Sequence, residues 1–160
     1  MASGDTLCRL GPLQNEPPAT NYATIGNRNG HPTLQFDDTT GWAAIFTDIM
    51  PQNYSNTTGV TVFINATAVA TSGTMGWLIA FERDTIDLDA DGFASDQTVT
   101  AVTVNGTSGI ITQTSLAITK GANMNSVVAG DQFRIRITRD VANDTAVGNT
   151  EIMSIEIRET

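Results

Sequence analysis

The chain has 160 residues, a formal net charge of -9 and 40% hydrophobic residues. That length suits one domain, able to bury roughly two-thirds of the surface its unfolded chain exposes. The acidity argues against the clustered cations that displace counterions from nucleic acid or anionic membranes, and no window approaches the ~18 consecutive apolar residues of a membrane span.

The opening stretch, MASGDTLCRLGPLQNEPPATNY, spaces Leu7, Leu10 and Leu13 three apart, but Gly11, Pro12, Pro17 and Pro18 interrupt any helix. Proline-rich chain is stiff, extended and short of backbone donors. Leucines left in water forgo about 1.5–3 kcal/mol each. Residues 1–20 are therefore expected to form an extended arm. Its contact residues, Leu7, Leu10, Leu13, Pro17 and Pro18, would lie over a surface, either the chain's own or a neighbouring subunit's, with the neighbour favoured. Cys8 is the single cysteine, so no internal disulfide forms. No basic region followed by an apolar stretch marks a secretory leader, and the expected origin is a reducing cytoplasm, with exit inside a particle as the other route.

Residues 21–160 are expected to form one β domain. Strand patterns fall at Tyr22–Ile25, Thr33–Phe36, Trp42–Phe46, Val60–Ala70, Met75–Arg83, Thr98–Val104 and Ile110–Thr119. In QFRIRITRD, Phe133, Ile135 and Ile137 alternate with Arg134, Arg136 and Thr138, so one face goes to a core and the other to water. EIMSIEIRET repeats that alternation, and as a neighbour of the previous strand it would set Glu156 across from an arginine. Turn residues punctuate the strands at Asn29-Gly30, Thr71–Gly73, Asn105–Gly109 and Ala129–Asp131. Eight or nine strands without crossover helices predict an all-β, antiparallel β-sandwich. The long connections at Asp84–Gln97 and Asp140–Thr150 favour jelly-roll-like wiring.

The segment TIDLDADGF places Asp87, Asp89, Asp91 and Gly92 as in the start of a calcium loop, the one cofactor suggestion in the chain. Thr98 stands where the helical version needs a bidentate acid, so the alternative is an acidic, solvated loop. No catalytic constellation is expected. His31, the only histidine, precedes Pro32 in a turn, and no serine or cysteine stands in a strained elbow beside it. The N-x-Ser/Thr triplets at Asn53, Asn56, Asn65, Asn105 and Asn143 are attributed to the abundance of Asn and Thr. Trp77 shares a face with Met75, Ile79 and Phe81 and reads as core; core packing is also the favoured reading of Trp42, which follows Gly41 and a polar turn and has exposure as its alternative.

The stretches MASGDTL, NEPPATNYAT, HPTLQFDD, LIAFER, SLAITKGA, QFRIRITRD and IEIRET together resemble small jelly-roll proteins encoded among virion structural genes of tailed bacteriophages. That resemblance implies a capsid decoration (cement) protein, made in the host cytoplasm and located on the virion capsid surface. It would be a homotrimer clasped by its arms, stabilising the head by bridging subunits of the major capsid protein through many weak contacts. The residues leave two alternatives. One is a glycan-binding module of a tail fibre or other surface appendage, and the other is a self-assembling extracellular fibre subunit.

Overall fold

Two antiparallel sheets pack face to face in the computed structural model, which describes residues 2–160. The strands are β1 (Thr6–Leu10), β2 (Thr24–Arg28), β3 (His31–Phe36), β4 (Ala43–Ile49), β5 (Gly59–Ala68), β6 (Thr74–Arg83), β7 (Gln97–Thr103), β8 (Thr112–Thr119), β9 (Gln132–Arg139) and β10 (Thr150–Glu159). One sheet runs β2-β3-β10-β5-β8, with β1 also beside β10, and the other runs β4-β9-β6-β7. The expected jelly-roll-like sandwich is the fold found. Among the described residues no helix is long and apolar enough to cross a membrane.

Alternation decides which side chains go inward. Phe133, Ile135 and Ile137 of β9 meet Val60, Val62 and Ile64 of β5 and Ile155 and Ile157 of β10 in one apolar cluster. Trp77 is fully buried there, edge-on to Phe36 with ring centroids 5.1 Å apart. Each such residue contributes about 1.5–3 kcal/mol by leaving water. Gly59 sits at φ +129, where an added Cβ would collide with the backbone of Ile118 and Lys120. Only glycine fits that approach of β5 to β8.

β10 organises the larger sheet. One of its sides is covered along its length by β5, while the other is shared between β3 (Ile152 opposite Leu34) and β1 (Ile155 opposite Leu10). The register slips between Ile152 and Ser154, so Met153 is an extra residue between the two shared stretches.

The opening segment departs from expectation. Residues 6–10 are a strand of the chain's own sheet rather than a free arm. Gly4 N–H donates to Glu159 O (2.8 Å) and Glu159 N–H to Asp5 O (2.9 Å). Cys8 and Leu10 are buried at 6% and 2% exposure, and Leu7 packs beside them. Pro12 is buried in a short 3-10 turn, while Leu13 and Pro17 face solvent. The prolines begin only at Pro12, so the residues before them keep their donors. Burial, with Asp48 nearby, pushes the Cys8 thiol up to about 12.

The pairing considered for the last two strands does not form. β9 and β10 lie in different sheets. Glu156 accepts a hydrogen bond from Arg158 on its own strand (2.7 Å) and faces Arg9 of β1 at 3.7 Å.

Candidate functional site

Two loops meet at one end of the sandwich, residues 18–23 ahead of β2 and residues 37–42 ahead of β4. Asn21 takes a left-handed φ of 52, a conformation Asn tolerates better than most side chains. Its carbonyl accepts from Ala43 N–H (2.8 Å), and Ala23 N–H donates to Ala43 O (2.8 Å). The Asp37 carboxylate accepts from Thr39 N–H (2.8 Å) and from the Thr39 hydroxyl, which closes the second loop and holds the carboxyl below its usual range. Asp38 accepts from Gly148 N–H at 2.6 Å, and Trp42 O from Arg139 N–H at 2.9 Å. Both loops are thus pinned, by backbone bonds to β4 and β9 and by the Asp38 carboxylate to the 140–149 connection.

This scaffold sets Tyr22 and Trp42 around a hollow of about 240 Å³, with Asn21 and Thr24. Tyr22 is 45% exposed, and Trp42 packs one part of its ring on the core and shows the rest. Asn21 also lines an adjoining groove of about 390 Å³ over the outer face of β4 and β9. That groove is bordered by Pro18, Thr20, Thr138 and Phe93.

Phe93 comes from the 84–96 connection, which lies across β9. Ala94 N–H donates to Phe81 O (2.7 Å), and the ring lies over the guanidinium carbons of Arg136 (4.6 Å) and Arg134 (5.4 Å). Arg136 is in turn held by Asp96 (2.9 Å) and Arg134 by Glu82 (3.2 Å). Cation–π contact at such partly exposed sites is worth about 0.5–1 kcal/mol or more and keeps the ring flat on the sheet. The surface is therefore a run of fixed aromatic faces beside hydroxyl and amide groups.

The sequence favoured core packing for Trp42 with exposure as the alternative, and read Tyr22 as the first residue of a strand. No pattern singled out Phe93, because the arginines under it are remote in the chain. The segment weighed as a calcium loop against an acidic, solvated one has its carboxylates placed apart. Asp91 accepts from Thr85 N–H (2.7 Å) and from the Thr85 hydroxyl (2.6 Å), which holds its carboxyl below the usual range. Asp87 and Asp89 point to solvent. Among the described residues no three His, Cys, Asp or Glu side chains are grouped to hold a metal ion. Of the proposed contact residues, Leu7 and Leu10 belong to the chain's own packing, Pro18 lines the groove, and Leu13 and Pro17 are exposed away from the core.

No family model matches the chain, and no curated protein matches it. Solved structures do. A family 35 carbohydrate-binding module from Clostridium thermocellum superposes with a TM-score of 0.62 at 9% identity, covering 98% of this chain and 100% of the module. A family 30 carbohydrate-binding module of a Clostridium thermocellum cellulosomal cellulase gives 0.53 at 12% identity, covering 99% and 95%. A further family 35 module, solved with a glucuronic acid containing disaccharide, gives 0.52 at 13% identity, covering 93% and 91%. At these identities the likeness is one of fold. It corrects the expectation of a capsid decoration protein with a major capsid protein as partner, and with it the clasped homotrimer. The structures named above share this architecture nearly end to end and are carbohydrate-binding modules, and the segment meant as the clasp is a strand of the chain's own sheet.

Proposed function

We propose that this chain is a non-catalytic glycan-binding module that holds a saccharide against Tyr22 and Trp42. The observation that carries the reading is the placement of these two rings at the surface on pinned loops, while Trp77, Phe36, Phe46, Phe81 and Phe133 are buried. A sugar ring offers an apolar face of C–H groups and a rim of hydroxyls. Its receptor therefore needs flat aromatic surface next to hydrogen-bonding groups, already in place before binding. Tyr22 and Trp42 supply the first, and Thr20, Asn21, Thr24 and Thr138 the second. The Phe93 groove continues the same surface, with room for further sugar units. The carbohydrate-binding modules that share the fold support the reading by analogy.

The test is affinity electrophoresis or calorimetry against a panel of soluble polysaccharides. Tyr22→Ala removes an exposed ring and leaves the fold intact, and affinity should fall about 10-fold to 100-fold, the usual cost of truncating an aromatic anchor. Absence of binding across the panel, or binding indifferent to Tyr22→Ala and Trp42→Ala alike, rejects the proposal.

A further inference from the structure

A second hollow, of about 330 Å³, lies on the other sheet. In register across that sheet, Gln35, Glu151 and Thr67 stand side by side, alternating with the inward Leu34, Ile152 and Ala66. They therefore face outward. Thr67 is nevertheless only 1% exposed, because the β7–β8 connection folds over the end of β5. Gly109 N–H and the Ser108 hydroxyl both donate to Ala68 O, at 3.3 and 3.1 Å. Thr67 lines the hollow, and its buried hydroxyl has no hydrogen-bond partner among the described residues. Leaving such a group unpaired is costly.

Charge in the hollow runs against the rest of the molecule. The chain has 17 acidic and 8 basic residues, yet no Asp or Glu lines this space, whereas Arg28 and His31 do. The nearest acid, Glu151, is already engaged, accepting from Arg28 Nε (2.5 Å) and from Gln35 Nε2 (3.1 Å). Arg28 meets it through Nε alone, so the two terminal nitrogens remain for another acceptor. Gly109, at φ +88, lies against one of them: a Cβ there would stand 3.1 Å from Nη1. The bulged Met153, with Ile110 and Ile111 at 48% and 54% exposure, forms an apolar border.

We infer that this hollow binds a compact organic carboxylate, with Arg28 and the Thr67 hydroxyl donating to its oxygens and Ile110, Ile111 and Met153 covering its apolar body. Charge-assisted bonds from a guanidinium suit a carboxylate, and the ligand would satisfy the buried Thr67 hydroxyl, one of four threonine hydroxyls (with Thr33, Thr114 and Thr150) left unpaired among the described residues and the one that lines this hollow. The carboxylate has two sources, an acidic sugar unit of a glycan or a free small organic acid. The site does not depend on the Tyr22–Trp42 reading.

Amide NMR titration of the whole chain separates the outcomes, with glucuronic acid and benzoate as probes and glucose and benzyl alcohol as their neutral counterparts. Saturable shifts at Thr67, Ser108 and Gly109 are expected with an acid and not with its neutral counterpart, and they should weaken as salt rises. Response to glucuronic acid alone assigns the acidic glycan, and response to benzoate as well assigns small acids generally. Arg28→Gln should abolish the shifts, but it also unpairs Glu151. Thr67→Val therefore serves as the second variant: isosteric and free of the unpaired hydroxyl, it should keep or raise the thermal midpoint while weakening the acid about tenfold. No shifts with either acid, equal shifts with the neutral compounds, or wild-type affinity in Thr67→Val overturns the inference. So does loss of acid binding in Tyr22→Ala.

Discussion

Leu10 and Leu13 make a sharp test, because they are three residues apart and differ in everything the structure gives them. Leu10 sits in β1, opposite Ile155, at 2% exposure, whereas Leu13 is 76% exposed. Truncating a buried leucine to alanine costs about 2–5 kcal/mol, from lost transfer energy plus the cavity left behind. The same change on an exposed side chain stays within about 0.5 kcal/mol. Against a total stability of about 5–15 kcal/mol, Leu10→Ala removes a large share. With a urea dependence of about 1–3 kcal/mol per molar, its midpoint should drop by roughly 1–2 M, while that of Leu13→Ala stays in place. Urea unfolding followed by fluorescence of the buried Trp77 reads both. Equal midpoints for the two variants would refute the placement of residues 6–10 in the sheet. A Leu10→Ala loss that disappears at higher protein concentration would instead return those leucines to a contact between subunits.

Arg139, 1% exposed, donates to both oxygens of Asp144 (2.9 and 2.7 Å) and to the carbonyls of Phe36, Ala146 and Gly148. Arg139→Met leaves Asp144 buried without its partner and should cost about 3–5 kcal/mol in chemical unfolding, with part regained in Arg139→Met/Asp144→Asn. A loss below about 1 kcal/mol would show that the ion pair does not hold the 140–149 connection in place. Cys8 gives an alkaline signature: its folded-state thiol is raised from 9.0 to about 12, so the stabilisation is intact below 9.0 and declines as pH rises toward 12. The wild type should lose up to about 1.4 kcal/mol per pH unit more than Cys8→Ala across that window, and parallel curves for the two would contradict the burial of the thiol.

Much of the architecture was legible in the sequence because it rests on local alternation. Phe133, Ile135 and Ile137 announced an inward face, and the pattern around Trp77 placed it correctly in the core. β1 was illegible for a physical reason. Its five residues hold only two inward positions, Cys8 and Leu10, and the leucine spacing with the prolines just beyond suggested an arm. Which strands are neighbours depends on long-range closure, and so the arginine across from Glu156, Arg9 of β1, could not be picked out from the alternation of the last two strands. Little of the site was visible: the polar turn before Trp42 left exposure only as the alternative to core packing, and the apposition of Tyr22 with Trp42, and of Phe93 with Arg134 and Arg136, joins distant segments. The Asp87–Asp91 spacing alone does not tell a calcium loop from a solvated one, because a carboxylate near a loop threonine can bond locally, as Asp91 does with Thr85.

The place of β10 carries a consequence for how the molecule comes into being. β1 finds its partner strand only in residues 150–159, and the β2–β3 and β5–β8 pairs, made earlier, are joined into one sheet only there. On the ribosome the larger sheet must wait for those residues, its apolar faces held open until the last strand slots into the middle. Zipping together chain segments so far apart is entropically slow, and it makes assembly of the sandwich close to a single event. A nascent chain halted before residue 150 would present unpaired edges to its surroundings, where aggregation begins.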